Sequence, residues 1–349
     1  MTTGRPTRTL VVSGIHENAR RSVVRALREA VPGIPVLRFD PARPLPTGSG
    51  RPRIVEVPGG IDPAVAVETI TAPAASPHTA VTAVVAAVDG RRCVGDLLSD
   101  ETARARGLRG EADDPRTVAE VLLRQIDYAD HLALVETGRS GHRDRLCGPL
   151  LNHLNPAARI LTDPAPADLA PLLSGRFDGV GAALRLTPAF PPVPPHTGEP
   201  AVTVVWRRFR PLHPERFYEA LDEMTEAGVR SRGRLWLASM PDTMLAWEAV
   251  GPSVSFERSG PWLAALPASV RPLAASLRGP SGTFDWHPRT GDRCQHIAFT
   301  GLGADSAHLL ALLDSCLLTE EEVLAWEKDG PLCDDPFGPL LEGGGDERR

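Results

Sequence analysis

Apolar positions in the first half of the chain fall in short continuous runs, and stretches of helical spacing lie between them. Runs at 9–13, 36–39, 53–57, 82–88 and 131–136 are rich in Val, Ile, Leu and Ala, as expected of strands buried on both faces. Segments 20–30, 63–70, 115–127 and 166–173 carry the amphipathic spacing of helices. Asp62-Pro63 reads as a cap followed by a first-turn proline, and Thr162-Asp163 as a cap before the last of these helices. Strand alternating with helix predicts a parallel sheet covered by helices.

The pattern changes after residues 187–199, Thr-Pro-Ala-Phe-Pro-Pro-Val-Pro-Pro-His-Thr-Gly-Glu, which suit neither a helix nor a central strand. Beyond this linker a strand is predicted at 202–209, a helix at 213–226, strands at 233–239, 243–250 and 253–257, a strand at 295–300 and a helix at 304–316. That order predicts a small α+β domain. The expected organisation is an α/β domain over 1–186, the linker, an α+β domain over 200–320, and a frayed, partly disordered tail over 321–349.

Composition narrows the class. The 349 residues are 42% hydrophobic and 23% charged, with a net charge of −6, so nothing draws the chain globally to DNA or to anionic lipid. There is no apolar run of about 18 residues to span a membrane, and the first residues do not read as a secretory signal. Five scattered cysteines form no disulfide framework, and reduced thiols in the cytoplasm are the expected state. Among 38 Lys and Arg residues only Lys328 is lysine, an imbalance that a GC-rich coding sequence would produce. Arginines cluster at Arg207-Arg208 and at Arg230, Arg232 and Arg234, and they are expected to flank strands on a solvated face.

Candidate chemistry centres on the first turn. Thr9-Leu10-Val11-Val12 enters Ser13-Gly14-Ile15-His16-Glu17-Asn18-Ala19, and a helix follows. A strand, a glycine turn and a helix N-terminus aim backbone N–H groups at a phosphate. A tight turn with no ligand has the same outline. Cys294, His296 and the nearby His287 are of metal-ligating type, but no Cys-x-x-Cys spacing accompanies them. No nucleophile elbow, His-Glu-x-x-His pair or carboxylate dyad suggests another enzyme class, and no catalytic residue is assigned.

The second half is more specific. Phe209-Arg210-Pro211-Leu212-His213-Pro214-Glu215 precedes Val229-Arg230-Ser231-Arg232-Gly233-Arg234-Leu235-Trp236, then Pro241-Asp242-Thr243, Trp247 and Gly291-Asp292-Arg293-Cys294-Gln295, and the block closes on Asp314-Ser315-Cys316. In order and spacing this resembles the C-terminal domain of the CobW family of P-loop GTPases and metal chaperones. In the first half, Glu56-Val57-Pro58-Gly59-Gly60-Ile61-Asp62-Pro63, Gln125-Ile126-Asp127-Tyr128-Ala129-Asp130 and Leu154-Asn155-Pro156 resemble further family motifs. The resemblance implies a nucleotide site at Gly14, Asn18, Arg20, Ser22, Glu56 and Gly59, with GTP and Mg²⁺ as cofactors. It also implies a role in metal handling.

The departures from that pattern fall on the working parts. Along the P-loop, glycines give way to Glu17 and Ala19, the lysine to Arg20 and the first threonine to Arg21. After the strand at 131–135, Glu136-Thr137-Gly138-Arg139 stands where the family reads guanine with Asn-Lys-x-Asp. No cysteine precedes Cys93, so the family's Cys-x-Cys-Cys is missing. The expectation is a degenerate GTPase acting by binding in zinc or metal homeostasis, or recruiting a factor to ribosomes as one branch of the family does. An active GTP-dependent metallochaperone using Arg20, Ser22 and Glu56, or a plain scaffold, are the alternatives. His213, Arg230 and Arg232 are the candidate partner-binding residues, facing a client protein or a ribosome-associated factor. Trp236 and Trp247 are expected in the core.

Overall fold

The computed structural model describes residues 6–43, 45–46, 50–72, 79–110, 114–136, 144–194, 200–225, 228–251, 253–278, 286–302, 306–331 and 335–342. The chain divides into two compact units, Met1–Leu186 and Thr187–Arg349. Among the described residues no helix is long and apolar enough to cross a membrane.

The first unit is built on β1 (Thr7–Ser13), which is followed by α1 (Glu17–Ala30), β2 (Val36–Arg38), β3 (Arg53–Glu56) and α2 (Pro63–Thr71). Next come β4 (Thr79–Asp89), α3 (Cys93–Leu97), α4 (Val118–Tyr128), β5 (His131–Val135) and α5 (Asp144–Leu154). The unit ends with β6 (Arg159–Thr162), α6 (Pro166–Leu169) and α7 (Gly179–Arg185). The strands form one parallel sheet in the order β2-β3-β1-β4-β5-β6. The long central β4, made of small and β-branched residues, is buried along most of its length, as helices on both faces of a parallel sheet require. Val23 and Leu27 of α1 pack with Leu10, Val12 and Val85 beneath them.

Several boundaries differ from the sequence reading, each for a local reason. Helix α4 starts after Thr117 rather than at 115, because Thr117 and Glu120 form a reciprocal capping box. The helix read at 166–173 is α only to Leu169 and continues as a 3-10 turn over Ala170–Ser174. Asp163 does not cap it: its backbone is left-handed (φ 42°) and its carboxylate accepts the Glu136 N–H at 2.7 Å. Strand β6 is four residues long with no fully buried position, and its periodicity is too short to read.

The second unit contains β7 (Val202–Arg208), α8 (Pro214–Glu219), α9 (Leu221–Thr225), β8 (Arg230–Leu235), β9 (Thr243–Val250) and β10 (Ser253–Pro261). After these come α10 (Arg271–Leu277), β11 (Gln295–Gly301), α11 (Ser306–Ser315), α12 (Glu320–Asp329) and α13 (Phe337–Glu342). Its antiparallel sheet runs β10-β9-β8-β11-β7. One face carries Trp206, Leu235, Trp247, Ile297 and Phe299 against Phe217 and Leu313. Trp236 joins Met244, Ala246 and Trp262 in a second cluster. Both Trp236 and Trp247 are core residues.

Two expectations for this unit are corrected. Arg230, Arg232 and Arg234 do not flank β8; they lie within it at alternate positions and are buried, Arg230 paired with Glu248 across the ladder. The segment read as a frayed tail holds two helices, and Phe337 of α13 is fully buried against Phe217, Tyr218 and Phe256. Residues 343–349, Cys333 and linker residues 195–199 lie outside the described residues.

Candidate functional site

The turn after β1 is shaped by close backbone packing. Gly14 has φ +142°, and a Cβ there would stand 2.3 Å from the Ala87 carbonyl oxygen of β4, so only glycine fits. The chain then turns at His16, the N-cap of α1, whose side chain makes no capping bond. Its Nε2 instead lies 3.1 Å from the buried Asp96 of α3. Asp96 also receives Arg106 at 2.9 Å, and Arg106 reaches Glu101 at 2.6 Å. Burial alone would push the Asp96 carboxyl up, but the adjacent His16 and the hydrogen bond from Arg106 outweigh it and hold its pKa below the ordinary carboxylate value.

Arg20 occupies the first turn of α1, yet its side chain is buried and folds back into the turn. One guanidinium nitrogen donates to the Gly14 carbonyl oxygen, and Nε donates to Glu56 Oε1 at 3.2 Å. Gly59 closes the other side: a Cβ on it would stand 2.9 Å from the Ile15 carbonyl oxygen and 3.3 Å from Arg20 Nη1. The Gly59 carbonyl accepts the Gln125 side-chain amide at 2.7 Å, which ties the β3–α2 loop to α4. The concave side of this turn therefore presents a carbonyl oxygen and a carboxylate to a cation supplied by the chain itself.

The predicted site residues separate into two groups. Gly14, Arg20, Glu56 and Gly59 converge on this cluster. Asn18 is exposed on α1, and Ser22 faces a separate cleft of about 110 Å³ shared with Val135 and Asp163. Glu17 points to solvent and pairs with Arg21 at 2.6 Å. The guanine-reading position falls on residues 137–139, outside the described residues, and Glu136 before them is held through its N–H by Asp163. The His16–Asp96–Arg106 chain was not visible in the sequence, because its members are far apart and share no spacing rule.

Motif residues elsewhere have structural duties. Asn155 donates its side-chain amide to the carbonyls of Ile126, Asp127 and Ala129, closing the C-terminal end of α4. Gln295, fully buried, accepts from the Trp236 N–H and donates to the Arg210 and Trp236 carbonyls. Asp292 accepts the N–H groups of Leu263 and Ala264 and pairs with Arg278 at 3.0 Å. His213, a candidate partner-binding residue, stands at the N-cap of α8 without a side-chain capping bond. Cys294 is buried, and among the described residues no group of three or more His, Cys, Asp or Glu side chains is placed to hold a metal.

Residues 201–317 match the family model described as the cobalamin synthesis protein cobW C-terminal domain. Zinc chaperone Rv0106 of Mycobacterium tuberculosis is 32% identical over 265 residues, 74% of this chain and 61% of that protein. Zinc-regulated GTPase metalloprotein activator 1 of Dictyostelium discoideum is 26% identical over 266 residues, 71% of this chain and 54% of its own. The chain thus spans between about half and three-fifths of the length of these curated relatives. The Zn(II)-bound YjiA GTPase of E. coli, a solved structure, covers 90% of this chain at 12% identity with a TM-score of 0.37.

Proposed function

Because this chain belongs to the CobW family, we propose that it acts in zinc or metal homeostasis by binding a protein partner, with its ancestral nucleotide site retired. The relatives named for zinc handling support the physiological setting. The observation that carries the retirement is the seat of Arg20, buried and bonded to Gly14 and Glu56. A P-loop holds a triphosphate with inward N–H groups and a compact ammonium. Here the residues present do not suit a magnesium-bound triphosphate. The inward contact is to a carbonyl oxygen, and the carboxylate that would face a metal is engaged by the guanidinium. The loop glycines that let backbone wrap a phosphate are replaced by Glu17 and Ala19.

The partner in this reading is a client protein of metal homeostasis or a factor at the ribosome, met in the cytoplasm. Calorimetric titration of the full chain with GTP and with ATP, each with Mg²⁺, tests the nucleotide half. No heat of binding up to millimolar nucleotide is expected, and micromolar Mg²⁺-dependent binding would overturn it. Co-sedimentation with ribosomes from zinc-starved and zinc-replete cells tests the ribosomal partner, and an empty ribosomal fraction in both would remove it.

A further inference from the structure

A groove of about 1100 Å³ opens beside the carboxyl ends of β2 and β3, at the edge of the parallel sheet next to the Arg20 cluster. Ligands of open α/β sheets bind outside the carboxyl ends of the strands. This groove lies on that side, one strand outward from the turn that Arg20 fills. The apolar part of its lining is Leu37, Leu45, Ile61, the exposed Val65 and several prolines.

Among the described residues, the charges that line it do not cancel. Five arginines and three aspartates line it. Arg116 is held by Asp114 at 2.7 Å and also donates to the Gly60 carbonyl, Arg124 is paired with Asp62, and Arg43 lies 3.6 Å from Asp40. These pairs account for every aspartate. Arg38 and Arg109 remain, both exposed, and neither side chain forms an ion pair or hydrogen bond among the described residues. These two guanidiniums beside the apolar part of the lining favour carboxylates carried on an apolar-rich chain. Its volume, at the upper end of the roughly 300–1,000 Å³ of small-molecule sites, leaves room for an extended peptide segment.

We propose that this groove docks an extended acidic segment of the partner protein, its carboxylates on Arg38 and Arg109 and its apolar side chains along Leu37, Leu45 and Val65. The proposal rests on the protein-binding reading above, but it does not depend on whether the Arg20 turn takes nucleotide.

The test uses the intact chain and a fluorescein-labelled decapeptide of alternating Glu and Leu, followed by fluorescence anisotropy. Saturable binding is expected that weakens at least tenfold in the double variant R38E/R109E and falls with added salt, while R25E on the outer face of α1 leaves it unchanged. Because Arg38 and Arg109 are exposed and their side chains have no partner among the described residues, the double variant is expected to fold, which its circular dichroism and unfolding midpoint check. Absence of binding by the wild type, or equal binding by R38E/R109E, overturns the proposal. So does equal binding of the matching Lys-Leu peptide or preferential binding of a uridine decanucleotide. Nucleotide titration reads a different event, so failure here and failure of the retired-site reading are distinguishable.

Discussion

At Arg20 one side chain decides which sign of charge the first turn accommodates. A lysine reaching a phosphate would leave the Gly14 carbonyl and Glu56 to other partners, whereas this guanidinium engages both. Arg20→Met keeps the volume and removes the donors. It is expected to lower stability by about 1–3 kcal/mol, the cost of leaving buried acceptors unsatisfied, read from urea unfolding. The neighbouring Asp96 gives a pH signature. Its folded-state pKa is depressed, so the stability it contributes is present above the unfolded value of about 4 and is lost as pH falls through the folded value. Asp96→Asn is expected to lower the unfolding midpoint at pH 7 and to flatten its decline on the acid side. An unchanged acid limb would show that Asp96 is not the group responsible. The sequence shows an arginine at position 20. It does not show where the side chain goes, because an exposed and an inward arginine have the same spacing.

At the scale of elements, legibility follows pattern length. The apolar runs of β1, β4 and β5 and the long helices α1 and α4 are readable because burial imposes a repeat over enough residues. Strand β8 is misread at its start because Arg230, Arg232 and Arg234 look like a solvated flank, whereas their alternation is that of a strand with the arginines on one face and Ser231, Gly233 and Leu235 on the other. Helix α13 is invisible to periodicity, being six residues long and anchored by Phe337. Gly233 shows how tightly β8 is set: a Cβ there would stand 1.9 Å from the His296 carbonyl oxygen and 2.7 Å from the Ile297 Cα of β11. Both obstacles are backbone in a central ladder, so Gly233→Ala must separate β8 from β11. A loss of about 3 kcal/mol or more is expected, at the upper end for single substitutions. Gly251→Ala, where no atom lies within 4 Å but φ is +54°, is expected to cost only about 1 kcal/mol of backbone strain. Chemical denaturation of the two variants side by side checks the order, and equal losses would contradict the packing account of Gly233.

At the scale of the molecule, each unit encloses its own hydrophobic core, one under the parallel sheet and one on the antiparallel sheet. All six tryptophans, at 206, 236, 247, 262, 286 and 326, belong to the second unit. Tryptophan fluorescence in the intact chain therefore follows that unit, while far-ultraviolet circular dichroism follows both. Independent cores predict that a lesion confined to one unit acts on that unit's transition. Asp96→Asn lies in the first unit, so it is expected to bring forward part of the dichroism change in urea and to leave the fluorescence midpoint where it was. Gly233→Ala is expected to do the reverse, moving the fluorescence transition to lower urea while the helical signal of the first unit survives to its own midpoint. Should both probes shift together in both variants, the two cores would be unfolding as one cooperative body. A partner docked in the groove beside β2 would then stabilise the tryptophan-bearing unit as well as its own, whereas with independent cores that stabilisation stops at the first unit.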